Sequence, residues 1–271
     1  MDIKKNVMTA LEELRKKNPL VHNITNYVTV NDCANAILAI GASPIMADDI
    51  NEVADITSIS SAVVINIGTL NKNTISSILE AGKKANELGI PVVFDPVGAG
   101  ASTLRNDTTT EIIEKIKLSI IRGNLSEISF IAGLEVSTKG VDSSEADSKN
   151  DAVSIAKSVA KKLNCVVAIT GEVDIITDGE TLIKIKNGHK MLSMVTGTGC
   201  MSTALAGSFA GATSDYLTAA VAGILSMGIS GEISFENYGK VGTGSFHIAI
   251  IDALSNLNPE IIRDRALLEI S

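Results

Sequence analysis

Four polar, glycine-rich turns in this sequence directly follow short apolar runs. The turns begin at Gly68, Asp95, Arg122 and Thr170. Each turn alone is compatible with ordinary turn chemistry. If the apolar runs are neighbouring parallel strands, however, their carboxyl ends meet at one edge of a sheet, which is where open α/β sheets bind ligands. The four turns together therefore favour one shared site.

The sequence Gly197-Thr198-Gly199-Cys200 leads directly into a run of small residues. A glycine-rich turn that opens a helix offers free backbone N–H groups and the positive end of the helix dipole, so it suits a phosphate or a phosphoryl group in transfer. An N-cap at Thr198, with glycines easing a sharp turn, is the alternative. Neither GxxxxGK[ST] nor GxGxxG occurs, which excludes a P-loop and a dinucleotide fingerprint.

Two carboxylates are candidates for holding Mg²⁺, which usually meets protein through one or two carboxylates plus phosphate oxygens. They are Asp95 and Glu127. Glu127 also fits a capping box with Asn124 at the N-cap, and on its own residues we favour that structural interpretation. Arg122 ends an apolar run, where a guanidinium needs a carboxylate or a phosphate.

Cys200 is placed at a predicted helix N-terminus, where the pKa of a thiol tends to fall. A bound triphosphate would raise it again, and a small hydrophobic residue filling the crevice is the structural alternative. The three histidines, His22, His189 and His247, have no partner at metal-ligand spacing. We assign no metal-binding role to them.

Short apolar runs alternate with amphipathic ones along the chain, which predicts an α/β fold with a mostly parallel sheet covered by helices on both faces. The predicted helices are 3–17, 30–40, 53–59, 73–88, 108–118, 125–132, 152–163 and three between 200 and 257. The predicted strands are 44–47, 62–67, 91–94 and 119–121, then an antiparallel edge formed by 165–170, 174–177 and 181–185. The most polar segment, 139–149, is predicted to be a surface loop.

The chain has 271 residues, of which 45% are hydrophobic and 20% charged, and we expect one domain over residues 1–271. A net charge of -8 argues against nucleic acid and anionic membranes as partners. The aromatic content of only 3% also leaves few side chains for stacking single-stranded bases. The uncharged stretch between Lys190 and Asp215 is too rich in Gly, Ser and Thr for a membrane span. Three cysteines without a CxxC pair argue against disulfides and structural zinc, and the N-terminus lacks a secretory pattern, so we expect a cytoplasmic protein.

Five motifs together resemble the hydroxyethylthiazole kinase family, over about residues 20 to 250. They are 21–26 (Val-His-Asn-Ile-Thr-Asn), 44–47 (Pro-Ile-Met-Ala), 94–99 (Phe-Asp-Pro-Val-Gly-Ala), 122–127 (Arg-Gly-Asn-Leu-Ser-Glu) and 197–200 (Gly-Thr-Gly-Cys). The resemblance implies a three-layer α/β/α ribokinase-like fold. It also implies an enzyme of thiamine salvage that uses ATP and Mg²⁺ to phosphorylate the alcohol of 4-methyl-5-(2-hydroxyethyl)thiazole, as a homotrimer with active sites between subunits.

The resemblance also implies roles for individual residues. The thiazole would be bound by Asn26, Met46, Gly68 and Gly197, the nucleotide by Arg122 and Thr170, and the metal by Asp95 and Glu127. The catalytic turn would be Gly197, Thr198, Gly199 and Cys200. Ribokinase-like enzymes generally carry an aspartate base where Cys200 stands, and cysteine is usual there in the thiazole kinases. Phosphoryl transfer depends on positioning and charge neutralisation more than on a strong base. Cys200 is therefore expected to assist the reaction without being an essential base.

Two alternatives differ from this hypothesis. A related kinase of hydroxymethylpyrimidine or pyridoxal, or an ATP-dependent NAD(P)H-hydrate dehydratase, would keep the fold and change the acceptor. The Gly-Thr-Gly-Cys turn argues against these relatives, which carry aspartate there. The other alternative is a non-catalytic nucleotide or thiazole sensor, which ATP binding without turnover of any alcohol would support.

Overall fold

A nine-stranded sheet runs through the protein, whose computed structural model describes residues 2–133 and 145–271. The strands are β1 (Leu20–Ile24), β2 (Ser43–Ile45), β3 (Ala62–Asn66), β4 (Val92–Asp95), β5 (Ile120–Gly123), β6 (Val166–Ile169), β7 (Asp174–Thr177), β8 (Leu182–Ile185) and β9 (Leu268–Ile270). Their order is β2-β1-β3-β4-β5-β6-β7-β8-β9. The first six strands in this order pair in parallel, and β6 to β9 pair antiparallel.

Helices cover both faces of the sheet. They are α1 (Ile3–Lys17), α2 (Val30–Ile40), α3 (Val53–Ser58), α4 (Lys72–Leu88), α5 (Thr103–Lys115), α6 (Leu125–Ile131), α7 (Glu145–Leu163), α8 (Thr198–Ala210), α9 (Tyr216–Tyr238), α10 (Thr243–Asn256) and α11 (Pro259–Arg265). One core cluster joins the sheet to α1, α2, α8, α9, α10 and α11. A second cluster joins the opposite face to α3, α4, α5, α6 and α7.

Strand β3 shows why the apolar runs lie at the centre of the sheet. All five of its residues are buried. Val64 belongs to the cluster beneath α8, whereas Val63 and Ile65 belong to the cluster beneath α4, because successive side chains of a strand point to opposite faces. A strand buried on both faces needs a continuous apolar sequence, and it turns polar only where it reaches the edge at Asn66.

Helix α8 packs unusually closely on its neighbours because glycines remove side chains from the contacts. A Cβ at Gly207 would lie 2.2 Å from Val64 Cγ2 on the sheet, and a Cβ at Gly223 on α9 would lie 2.4 Å from the backbone nitrogen of Ala206. Every residue of α8 from Met201 to Ala210 is buried. The helix is therefore fixed between the sheet and α9.

Within the described part of the chain, α9 is the one helix with the length and apolar composition to cross a bilayer. Its most apolar window is 89% buried inside the fold. The helix therefore serves as a core element in this structure.

The predicted fold class is confirmed, and several boundaries differ. Strand β1 was not predicted because His22 and Asn23 interrupt its apolar pattern. His22 is fully buried and bonded to Thr57 Oγ1 at 2.9 Å and the Ala47 carbonyl at 2.7 Å, so a polar residue fits inside this strand. Strand β9 and helix α11 were also not predicted. Helix α5 begins at Thr103 and not at residue 108 because Ser102 caps it.

The predicted loop at 139–149 is wrong at its end, since α7 already begins at Glu145. Residues 139–144 lie outside the described residues. A helix rich in Asp, Ser and Lys in its first turns lacks the apolar periodicity on which the prediction relied.

Candidate active site

The carboxyl ends of the parallel strands bring most of the predicted residues to one edge of the sheet. Asp95 ends β4, Arg122 lies near the end of β5, and Thr170 directly follows β6. Asn26 follows β1, and Gly68 follows β3 by two residues. The N-terminus of α8 reaches the same edge, because Gly199 contacts Arg122 and Thr203 bonds Asp95.

Asp95 is the buried charge of this site, with a side chain that is 0% exposed. Its Oδ2 accepts hydrogen bonds from Thr203 Oγ1 at 2.7 Å and Asn66 Nδ2 at 3.1 Å, and Arg122 Nη1 lies 3.7 Å away. Among the described residues, no group bonds Oδ1. Burial raises the pKa of Asp95 to about 6, opposed chiefly by the charge of Arg122. One carboxylate oxygen is therefore held by donors, and the other is buried without a donor among the described residues.

Arg122 connects the carboxylate of Asp95 to the glycine-rich turn at the start of α8. Its Nη2 donates to Thr170 Oγ1 at 2.5 Å. Its guanidinium also packs on Gly199, where a Cβ would lie 2.7 Å from Nη1. Arg122, Thr170 and Gly199 line a cavity of about 670 Å³, together with Thr198, Asp174, His189, Leu192 and Met227. The predicted nucleotide residues are thus together in one large cavity.

Glu127 has the capping role predicted from its spacing. Asn124 Oδ1 accepts from the Glu127 N–H at 2.9 Å, and Glu127 Oε2 accepts from the Asn124 N–H at 2.8 Å. Its Oε1 accepts from the Gly98 N–H at 2.9 Å, in the loop after Asp95. The carboxylate is close enough to Asp95 to raise the pKa of that group. Glu127 therefore lies beside Asp95 while holding two backbone segments.

The Gly-Thr-Gly turn opens α8, as expected for an anion site. The N-cap is Gly197, with φ +89°, and the alternative prediction of an N-cap at Thr198 is wrong. Thr198 is already helical and its hydroxyl donates to the Leu192 carbonyl at 3.1 Å. A Cβ at Gly197 would lie 2.7 Å from Thr29 Cγ2, so only glycine suits this position. The first N–H groups of α8 have no intrahelical acceptor and point toward this edge.

Cys200 occupies the first turn of α8 and is half-buried. Asn26 Nδ2 donates a hydrogen bond to its Sγ at 3.3 Å. Burial raises the pKa of the Cys200 thiol, and the charge of Asp95 raises it further. The prediction that the helix N-terminus lowers this pKa is wrong, because burial and the charge of Asp95 raise it.

Asn26 is buried and points its amide into the site. Its Nδ2 donates to Asn66 Oδ1 at 3.0 Å, and its Oδ1 accepts from the N–H and the hydroxyl of Thr29 at 3.2 and 3.1 Å. Gly68 lies directly against it, since a Cβ there would be 2.9 Å from Asn26 Cβ. Asn26, Gly68 and Cys200 thus form one predicted acceptor surface.

Met46, His189 and His247 make contacts other than the hydrogen bonds that join Asp95, Asn66 and Asn26. Met46 follows β2, is half-buried and packs against the core cluster that includes α8. His189 stacks on Phe235, with ring centroids 3.5 Å apart, and His247 Nε2 lies 3.1 Å from Asp32 Oδ1. The residues that the structure describes contain no group of three His, Cys, Asp or Glu side chains arranged around a metal position. A metal here would depend on few protein ligands, as Mg²⁺ does when phosphate supplies the others.

Four residues of the site were not predicted from the sequence. Asn66 and Thr203 bond the same oxygen of Asp95. Asp174 lines the cavity, and Arg105 donates to the carbonyls of Ile67, Gly68 and Val97. Asn66 could have been identified from the sequence, because it is a polar residue at the end of an otherwise apolar strand. Nothing in the local pattern distinguishes the other three.

Comparisons of the sequence and of the structure with known proteins point to the same family. The model of the hydroxyethylthiazole kinase family matches residues 11–260. The hydroxyethylthiazole kinase of Ruminiclostridium cellulolyticum is 66% identical over 263 residues, which cover 97% of this chain and 96% of that protein. The structure of the Pyrococcus horikoshii hydroxyethylthiazole kinase superposes with a TM-score of 0.90 at 39% identity, covering 98% of this chain and 99% of the other.

A more distant structure defines the fold class. Staphylococcus aureus pyridoxal kinase in complex with AMP-PCP and pyridoxal gives a TM-score of 0.61 at 13% identity, covering 93% of this chain and 97% of the other. At that identity the likeness concerns the fold alone. The three-layer architecture is ribokinase-like, as expected.

Proposed function

Because this chain belongs to the hydroxyethylthiazole kinase family, we propose that it transfers the γ-phosphoryl group of ATP to the hydroxyl of 4-methyl-5-(2-hydroxyethyl)thiazole, in thiamine salvage. One observation carries this proposal: Arg122 joins Asp95, Thr170 and Gly199 at the start of α8. A buried carboxylate, a guanidinium and a helix N-terminus at one point suit a phosphoryl group that accumulates negative charge during transfer.

The nucleotide would occupy the cavity of about 670 Å³ beside Arg122 and Thr170. Its phosphates would meet the N–H groups of the Gly197-to-Cys200 turn, where the helix dipole favours negative charge. Arg122 supplies a guanidinium whose planar donors suit phosphate oxygens. These groups orient the γ-phosphoryl group and stabilise charge on it as the bond to the leaving oxygen breaks.

Asp95 and Glu127 fit a Mg²⁺ ion. The buried Oδ1 of Asp95 has no bonding partner among the described residues, and a carboxylate oxygen is the donor that Mg²⁺ prefers. Glu127 retains lone pairs beyond its two backbone bonds. When bound, Mg²⁺ neutralises charge on the phosphate oxygens.

The acceptor alcohol would lie over Asn26, Gly68, Gly197 and Cys200, with Met46 contributing an apolar wall. The thiazole is small, uncharged and mostly apolar, so one amide among apolar groups suits it. The Cys200 thiol stays protonated near neutral pH because burial raises its pKa. We assign it a positioning contact with the hydroxyl, whose proton passes to an oxygen of the transferred phosphoryl group as the new O–P bond forms in a loose transition state.

We further propose a cytoplasmic homotrimer with active sites between subunits. Apolar side chains flank the proposed acceptor surface and are exposed in the single chain: Tyr27 is 78%, Val28 56% and Met194 66% exposed. Burial against a second copy would remove this surface from water. The three cysteines are free thiols, which suits a reducing compartment. Light scattering on the purified protein measures the assembly directly.

The test of the reaction is incubation with Mg-ATP and hydroxyethylthiazole, followed by mass spectrometry for the thiazole phosphate. Hydroxymethylpyrimidine and pyridoxal serve as competing acceptors. A thiazole phosphate that needs both ATP and Mg²⁺ supports the proposal. Phosphorylation of another acceptor in preference, or of none while ATP binds, contradicts it.

A further inference from the structure

Asn66 joins two parts of the site that have separate proposed roles. It is the last residue of β3 and is 4% exposed. Its Nδ2 donates to Asp95 Oδ2 at 3.1 Å. Its Oδ1 accepts from Asn26 Nδ2 at 3.0 Å and from the Gly68 N–H at 2.9 Å. Both ends of the amide are therefore used.

These partners allow only one orientation of the Asn66 amide. If the amide were flipped, its oxygen would face the carboxylate of Asp95, and its NH₂ group would face two other donors, Asn26 Nδ2 and the Gly68 N–H. All three contacts would become repulsive. The carboxylate of Asp95 and the backbone of Gly68 together therefore determine which way Asn66 points.

The orientation of Asn66 in turn fixes that of Asn26. One hydrogen of Asn26 Nδ2 goes to Asn66, and the other goes to Cys200 Sγ at 3.3 Å. At the opposite end, Asn26 Oδ1 accepts from Thr29. A chain of hydrogen bonds thus runs from Asp95 through Asn66 and Asn26 to Cys200.

We propose that Asn66 is a positioning residue that orients the Asn26 amide toward the acceptor by anchoring it to the carboxylate of Asp95. The link to the acceptor rests on the proposed function. The link between Asn66 and Asn26 rests on the contacts alone. Asn66 therefore couples the alcohol side of the reaction to the carboxylate on the phosphate side.

The kinetic test is a double-mutant cycle of Asn66→Ala and Asn26→Ala, with kcat/KM for the thiazole as readout. In the wild-type background, Asn66→Ala is expected to lower this constant about tenfold or more, because it removes the acceptor of the Gly68 N–H and of one Asn26 Nδ2 hydrogen. In the Asn26→Ala background, the same change is expected to cost less than about threefold, since the proposed effect of Asn66 on the acceptor passes through Asn26. Equal factors in both backgrounds, or no effect in either, overturn the proposal.

A matched control separates positioning from a general loss of stability. Asn86 also uses both ends of its amide, bonding the carbonyl and the N–H of Lys117, and it lies outside the site. Asn86→Ala is expected to lower the melting temperature without changing kcat/KM. If Asn66→Ala does not fold, Asn66→Ser replaces it in the cycle, because a serine side chain is also too short to bridge Asp95 and Asn26.

A second readout does not require the proposed reaction. The rate of Cys200 alkylation by iodoacetamide, followed by peptide mass spectrometry, reports the surroundings of Sγ. Asn66→Ala is expected to change this rate at least about threefold in the wild-type background and by a clearly smaller factor in the Asn26→Ala background, where only the direct effect of Asn66 on the thiol remains. Additive effects overturn the proposal. If the wild-type protein phosphorylates no thiazole but the alkylation cycle is non-additive, the proposed function fails and the anchoring of Asn26 by Asn66 stands.

Discussion

The guanidinium of Arg122 lies directly against the backbone of Gly199, on an element far away in sequence. A Cβ built at Gly199 would be 2.7 Å from Nη1 and 3.0 Å from Nη2. The two residues therefore touch only because position 199 has no side chain. The same guanidinium lies 3.7 Å from Asp95 Oδ2, so this contact places a positive charge between the helix N-terminus and the buried carboxylate.

Substitution of Gly199 by alanine is expected to impair nucleotide use and leave the fold intact. The added methyl group would displace the Arg122 guanidinium, whereas the helical backbone at this position tolerates a side chain. We expect KM for ATP to rise about tenfold, the scale of a lost charge-assisted contact. Gly244→Ala, at the start of α10 with no atom within 4 Å of its new Cβ, is the control and is expected to change nothing. Equal KM values for the two variants would contradict this role of Gly199.

Loss of the Arg122 side chain is expected to be more damaging. Arg122→Ala should lower kcat/KM by about 10²-fold or more, because it removes a charge that, in the proposed reaction, stabilises the negative charge on the transferred group. Arg122→Lys keeps the charge and is expected to recover only part of the activity, since an ammonium lacks the planar fork of donors. Steady-state kinetics with Arg263→Ala, a surface arginine paired with Asp264, provides the comparison. Full activity of the lysine variant would show that charge alone suffices.

Cys200→Ala is expected to retain measurable turnover, within about tenfold of the wild type. The raised pKa of the thiol makes it a poor base at neutral pH, and general-base catalysis normally contributes about 10²-fold or more. Asp95→Asn, measured in the same assay, should fall well below it. An inactive Cys200→Ala that still binds both substrates would reverse this ranking.

The pH dependence of stability should reveal the buried carboxyl of Asp174. Burial raises its pKa to about 6, from an ordinary value of 3.8. The folded state therefore binds a proton that the unfolded state has lost, and stability falls as pH rises from about 4 through about 6, by as much as about 3 kcal/mol. Asp174→Asn removes this dependence and keeps an acceptor for the Gly171 N–H. Urea unfolding at several pH values should show that the free energy of unfolding of the variant increases relative to that of the wild type as pH rises.

The control for Asp174 is a carboxylate of the opposite kind. Hydrogen bonds from Asn51 lower the pKa of the exposed Asp49. The stability of Asp49→Asn should therefore decrease relative to that of the wild type as pH rises through the acidic range. If both variants followed the same trend, burial would not be the cause at Asp174.

The sequence predicts the fold well where hydrophobic periodicity and burial agree. Strand β3 is continuously apolar up to Asn66 and is buried on both faces. Helix α2 has apolar residues at helical spacing and buries that one face. Strand β1 was missed because His22 finds its partners, Thr57 and Ala47, only in the folded chain. The assignment of all 271 residues to one domain stays a prediction.

The candidate site shows the same division between local and tertiary effects. The capping box of Glu127 could be predicted because both partners are local, and the structure confirms it. The pKa of Cys200 could not, because its direction depends on burial and on Asp95, which is distant in sequence. Arg122 was predicted to need a carboxylate or a phosphate, and Asp95 lies beside it. The roles of these residues toward metal, nucleotide and thiazole stay predictions.

The tight packing of α8 has a consequence for the selection of acceptors. This helix carries Cys200 and Thr203, and glycine contacts fix it against Val64 on one side and Ala206 against α9 on the other. A bulkier alcohol would therefore contact a helix that cannot shift away from it. It would have to fit by displacing other parts of the site. Each surplus methylene then costs about 1–3 kcal/mol, so this enzyme would reject homologues of its substrate by steric exclusion.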